Sequence, residues 1–116
     1  MFLNLSNHPS SLWSSDQLKA AMSLAETIED MGFPNVPPDA DETALDAMAE
    51  ETAAAVLSKK PTIVHLMGEL TLCHRIVNIL KTAGMTVLAS TTERDVVMEG
   101  KDLKKVRFRF IRFRSY

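Results

Sequence analysis

Hydrophobic and polar positions along the chain follow two periods that take turns. "FLNL" is a short apolar run ending in "SNHPS", where Pro9 and the serines stop regular structure, so a buried first strand is predicted. "SSDQLKAAMSLAE" repeats Leu18, Ala21, Met22 and Ala25 on one helical face, and Ser14 and Gln17 are spaced as a capping box. "TIEDM" before Gly32 predicts a second strand. The prolines of "GFPNVPPDAD" exclude helix and central strand and leave a surface crossover. Asp39 and Glu42 form another capping signature, opening a helix over "ETALDAMAEETAAAVLSK" with Leu45, Met48, Ala49, Thr52 and Val56 as its buried stripe.

After Pro61, "TIVHLM" is β-branched and nearly continuously apolar, the pattern of a central parallel strand covered on both faces. "LTLCHRIVNILKTAG" predicts a helix with Leu72, Ile76, Val77 and Leu80 inward and Gly84 as its C-terminal stop. "MTVLAS" is another buried strand, and the remaining residues read as a hairpin turning near Gly100. Strands alternating with helices imply a parallel sheet with helices on both faces. The expected fold is a small α/β Rossmann-like domain over residues 1–116, closed by a C-terminal antiparallel hairpin. In its last strand the apolar side switches between Phe110 and Ile111, which a β-bulge would repair. Without one, the strand passes into a second environment such as a partner subunit, and so aromatic an edge strand points to a homodimer.

Composition narrows the class. A chain of 116 residues, 46% hydrophobic and 24% charged, can bury one core without metals or disulfides to support it. The lone Cys73 excludes an internal disulfide and fits a reducing cytoplasm. The N-terminus lacks a basic segment before its apolar run, as a secretory signal would have, and no stretch approaches the roughly 20 apolar residues of a membrane helix. A soluble cytoplasmic protein is expected. Net charge is −2 but lopsided: Glu26 to Glu51 holds nine acidic residues and no basic one, while Lys101 to Tyr116 holds seven basic residues and one acid. Such asymmetry marks either a polyanion-binding face or two ends that attract each other.

Candidate chemistry gathers where parallel strands end, because ligands of open α/β sheets bind beyond the carboxyl ends of the strands. Those ends are "SNHPS", "MGELT" and "STTER", all small and polar. In the first, Ser6, Asn7 and His8 offer polar contacts, and His8, held by Pro9, is either a general acid or base or a structural histidine. In the second, Gly68 permits a sharp turn into a helix whose first N–H groups attract phosphate. Thr71 adds a hydroxyl or caps the helix, and Glu69 is either a partner of the helix dipole or a carboxylate that takes a ribose proton. In the third, Ser90, Thr91 and Thr92 supply hydroxyls, and Arg94 either grips a phosphate with two parallel bonds or pairs with Glu93. Metal or thiol chemistry is not expected. Cys73 and His74 point about 100° apart on a helix, and His65 lies mid-strand.

"FLNLSNHPS", "VHLMGELT", "ASTTER" and the basic strand "KKVRFRFIRF" together resemble the CARF class (CRISPR-associated Rossmann fold), in particular small stand-alone proteins related to ring nucleases. The topological likeness spans almost the whole chain, and its Gly-x-x-Thr turn is Gly68 to Thr71. The resemblance implies a homodimer around a symmetric cyclic oligoadenylate, the second messenger of type III CRISPR immunity, with cyclic tetra-adenylate the expected ring. It implies a phosphodiesterase that needs no metal or other cofactor, in which a ribose 2′-hydroxyl attacks the neighbouring phosphate. His8 or Glu69 would move the proton and Arg94 would balance charge. Ser6, Asn7, Gly68, Thr71, Ser90, Thr91 and Thr92 would bind the ligand. A non-catalytic sensor or sequestering module for the same ligand is the alternative, and an RNA- or protein-docking role for the Arg-rich strand is a third. Neither a membrane nor DNA is an expected partner.

Overall fold

A computed structural model describes residues 1–98, 100–101 and 104–116. Strand β1 (Phe2–Leu5) leads through a 3₁₀ turn at Ser10–Leu12 into helix α1 (Ser15–Leu24) and strand β2 (Ile28–Met31). Helix α2 (Glu42–Ser58), strand β3 (Ile63–Leu66), helix α3 (Leu70–Thr82) and the long strands β4 (Thr86–Met98) and β5 (Lys104–Ser115) follow. The sheet order is β2-β1-β3-β4-β5, parallel except for the antiparallel β4–β5 pair. This is the expected Rossmann-like α/β architecture with its terminal hairpin.

The sheet separates two cores because successive side chains point to opposite faces. Leu3, Leu5, Val64, Leu66 and Val87 face α2 and α3, meeting Val56, Leu72, Ile76 and Leu80 in the larger core. Phe2, Leu88, Phe110 and Phe113 face α1, meeting Trp13 and Ala21. The β1–β3 junction, where chain connections leave in opposite directions, is the topological switch point of the sheet.

Local chemistry sets the helix starts. Ser14 caps α1 by accepting from the Gln17 N–H, as its spacing predicts. The α2 cap is Asp41, whose carboxylate accepts from the Ala44 N–H at 2.8 Å, two residues later than the Asp39–Glu42 signature suggests. Asp39 lies outside the helix because the chain turns at Pro37 to Ala40, where the Ala40 N–H bonds the Pro37 carbonyl. Gly84, just past α3, has φ +83°, a left-handed conformation that glycine adopts without a Cβ clash.

The last two strands depart most from expectation. "STTER" is not the end of a strand: β4 continues without a break to Met98, because β5 pairs with it along its length and supplies the hydrogen bonds a loop would lack. The register shifts once. Thr91 opposes Arg112 and Thr92 opposes Phe110, leaving Ile111 as the extra residue of a β-bulge. The Thr91 hydroxyl occupies this irregularity, accepting from the Arg112 N–H and donating to its carbonyl. Although they are three positions apart rather than two, the bulge lets Phe110 and Phe113 both reach the α1-side core.

Tyr116 fastens the chain end. Its N–H donates to the Val87 carbonyl and its hydroxyl to the Leu66 carbonyl at 2.6 Å. Beyond this anchored part the hairpin projects, and the radius of gyration is 16.0 Å, against about 13 Å for a compact chain of this length. Val96, Met98, Val106 and Phe108 stay exposed on it, Phe108 at 70%. No helix among the described residues is long and apolar enough to cross a membrane.

Candidate functional site

The neighbouring parallel strands β2, β1 and β3 each carry a polar residue at the penultimate position: Asp30 in β2, Asn4 in β1 and His65 in β3. Register places Asn4 directly beside both of the others, so the three form a row across the α1 face of the sheet. Asn4 is fully buried and His65 is 2% exposed. A polar group at such depth must be hydrogen-bonded or it destabilises the fold.

The bonds of Asn4 fix the state of the row. Its amide nitrogen lies 2.8 Å from Asp30 Oδ1 and 3.0 Å from the His8 carbonyl. Both neighbours only accept, so this atom must be the NH₂ donor. Asn4 Oδ1 then accepts from the Ser6 hydroxyl at 2.8 Å and from His65 Nδ1 at 2.9 Å. His65 therefore carries its proton on Nδ1, and Nε2 presents a bare lone pair that has no partner among the described residues. Burial, and then the charge of His8, pushes the His65 pKa down from 6.5 to about 4, so the ring is neutral at pH 7. Burial would raise the pKa of Asp30, but its bonds from Asn4 and Ser10 outweigh that and hold the carboxyl below its ordinary value.

Above this row lies a cleft of about 800 Å³ between the start of α1 and the hairpin. His8 and Met67 border it at the ends of β1 and β3, and His65 forms part of its floor. Trp13 stands edge-on to His65 with ring centroids 5.5 Å apart, and its indole N–H donates to the His8 carbonyl. Phe113 also meets the imidazole edge, at 5.3 Å. On the hairpin side the walls are Ser90, Thr92, Asp95, Arg107, Phe108 and Arg109. Arg109 is tied to Glu93 across the β4–β5 pair, and Arg107 stands opposite Asp95. An aromatic floor, polar walls and cationic groups suit a flat, anionic ligand such as a nucleotide.

This arrangement sorts the residues singled out from sequence. His8, Ser90 and Thr92 line the cleft. Ser6 lies beneath it, bonded to Asn4 and positioned to accept from the His8 N–H. Thr91 is engaged in the bulge, Asn7 is exposed away from the lining, and Arg94 stands opposite Phe108 along the hairpin, also outside the lining.

At the "MGELT" turn the structure takes the helix-start alternative for Glu69. Glu69 itself is the N-cap of α3, accepting from the Thr71 and Leu72 N–H groups at 3.0 and 2.8 Å and from the Thr71 hydroxyl at 2.6 Å. Those bonds hold its pKa below the ordinary carboxylate value. Two of the N–H groups expected to cradle phosphate, those of Thr71 and Leu72, are thus already satisfied by a carboxylate, and neither Glu69 nor Thr71 lines the cleft. Gly68 answers to packing as well: a Cβ there would stand 2.5 Å from the ring of Phe33. Cys73 is buried, and burial with the nearby Glu69 charge raises its thiol to about 11, so it stays protonated at neutral pH. Among the described residues no group of His, Cys, Asp and Glu is placed to hold a metal ion.

Sequence reasoning set His65 aside as a mid-strand residue and did not single out Asn4 or Asp30. Their signal was a polar residue at the same position of three strands, visible only once the strands are aligned. Residues 1–114 match the family described as the uncharacterized protein MJ1673 family. No curated protein and no solved structure matches the chain.

Proposed function

The chain belongs to the uncharacterized protein MJ1673 family, and we propose that it is a ring nuclease of the cytoplasm that binds and cleaves a cyclic oligoadenylate, with cyclic tetra-adenylate the first ring to test. The observation that supports this most directly is the cleft at the switch point, large enough for a nucleotide and bordered by His8. Two copies would join through the exposed apolar hairpin and present their clefts to one symmetric ligand, in keeping with the exposure of Val106 and Phe108.

In the proposed reaction the ribose 2′-hydroxyl attacks the adjacent phosphorus, and the bond to the 5′-oxygen breaks. The products are a 2′,3′-cyclic phosphate and a free 5′-hydroxyl. His8 accepts the 2′-hydroxyl proton, water protonates the leaving 5′-oxygen and takes that proton back from His8, and Arg107 offsets charge on the phosphate. Glu69 has no part in this scheme, because its carboxylate is committed to the α3 cap.

The test is incubation of the protein with labelled cyclic tetra-adenylate in EDTA. Conversion to linear fragments ending in 2′,3′-cyclic phosphate is the expected result. Tight binding with the ring intact would make the protein a sensor or sequestering module of the kind type III CRISPR systems would need. Failure to bind any cyclic oligonucleotide would remove both readings. Binding to long RNA that weakens steeply with salt would then favour docking through the basic strand.

A further inference from the structure

The bare Nε2 of His65 says which part of a ligand belongs at the bottom of the cleft. Its orientation is not free: Nδ1 is held 2.9 Å from Asn4 Oδ1, and Asn4 is held in turn by Asp30, Ser6 and the His8 carbonyl. A lone pair so fixed attracts an N–H or O–H donor and repels a phosphate oxygen. Around it stand Phe2, Trp13 and Phe113, all with ring centroids within 6.3 Å of the imidazole. Flat apolar surroundings with one acceptor match an amino-bearing base. The cationic Arg107 and the exposed His8 lie elsewhere on the cleft wall, where charged phosphates remain in contact with water.

We propose that His65 Nε2 is the specificity contact of the cleft, accepting a hydrogen bond from the exocyclic amine of an adenine-type base, so that the base enters first and the phosphates stay at the rim. This rests on the reading of the cleft as a nucleotide site. It reverses the orientation that a phosphate-binding turn at Gly68 implies. Because His65 is only 2% exposed, the base reaches Nε2 by displacing part of the wall. Trp13, the only tryptophan in the sequence, lies in that wall and reports the event.

The experiment compares AMP with purine ribonucleoside 5′-monophosphate, which carries hydrogen in place of the 6-amino group, by Trp13 fluorescence and calorimetry. The wild-type protein should bind AMP about tenfold more tightly, the worth of one well-placed hydrogen bond. His65→Phe should bind AMP as weakly as the analogue and leave the affinity for the analogue unchanged. Equal wild-type affinities, a preference that survives in His65→Phe, or no binding of AMP overturns the proposal. Should His65→Phe fail to fold, the wild-type comparison still decides, joined by the ¹⁵N resonance of Nε2, which should move with AMP and not with the analogue. A preference for AMP without binding of cyclic tetra-adenylate removes the ring reading and keeps the role of His65. Cleavage of the ring with equal affinities for the two monophosphates does the reverse.

Discussion

Gly68→Ala separates two explanations of the same glycine. If Gly68 exists to let a backbone approach phosphate, adding a methyl should harm ligand binding and leave folding alone. The structure instead puts the added Cβ over the face of Phe33, 2.5 to 2.6 Å from three ring carbons. Carbon atoms rest at about 3.5–4.0 Å, so the ring would have to retreat by about 1 Å. Phe33 is 7% exposed and packed in the core shared with Leu5, Leu45 and Leu66, so it has little room to do so. Overpacking of this kind costs about 1–3 kcal/mol, and the smaller unfolded-state entropy of alanine returns about 0.4–1 kcal/mol. The net expectation is a loss of about 1–2 kcal/mol, or roughly 4–10 °C in melting temperature for a chain of this size. Urea denaturation followed by circular dichroism measures it. Phe33→Leu should cancel most of the effect when combined with Gly68→Ala, because it removes the ring that the methyl strikes. Unchanged stability of Gly68→Ala in the wild-type background would refute the packing argument outright.

Other expectations follow from the same contacts. His65 has a folded pKa of about 4 against 6.5 unfolded, so its contribution is present above pH 6.5 and lost as pH falls through about 4; the wild type should lose roughly 2–3 kcal/mol over that window, and His65→Phe should flatten that part of a stability-against-pH curve. Glu69 also has a depressed folded pKa, so Glu69→Ala should lower the melting temperature at neutral pH, and the difference from wild type should vanish in acid, where the carboxylate is protonated. Deleting Ile111 should be tolerated at a cost of about 1 kcal/mol for the lost Thr91 bonds, because regular alternation then keeps both aromatic rings on the α1 face; an unfolded deletion variant would show the bulge has another purpose. His8→Ala and Arg107→Ala should slow ring cleavage with the fold intact, whereas Arg94→Ala should cleave near the wild-type rate, and equal losses at Arg94 and Arg107 would mean the cleft is misassigned.

The alternation of period two and period 3.6 was enough to recover the order of strands and helices, because each element buries a face and its spacing records which. Ser14 was legible as a cap for the same reason, its partner being three residues away. What escaped was set by pairing between distant segments. "STTER" looked like the end of a strand because its residues are polar, yet Thr is a strand former once a partner strand lies alongside. Register with β5 decided it, and register is not written in either segment alone. The bulge was legible as a switch of apolar side between Phe110 and Ile111. The row of Asp30, Asn4 and His65 joins residues as many as 61 positions apart, and nothing in any one strand alone points to the other two.

Unsatisfied groups, rather than suggestive residue types, also distinguish the two candidate sites. At the α3 start, "MGELT" has the residue types of an anion site, but Glu69 satisfies the Thr71 and Leu72 N–H groups and Phe33 closes over Gly68. The donors of Thr71 and Leu72 are thus engaged inside the fold, which weakens the segment as an anion site. On the opposite face the account stays open. His65 Nε2 lacks a partner among the described residues, and Leu12 and Phe108, both lining the cleft, are 67% and 70% exposed. An unmade hydrogen bond and uncovered apolar surface both disfavour the empty cleft. A molecule that meets both demands at once, flat and apolar with one donor on its edge, is the one whose binding gives the largest return.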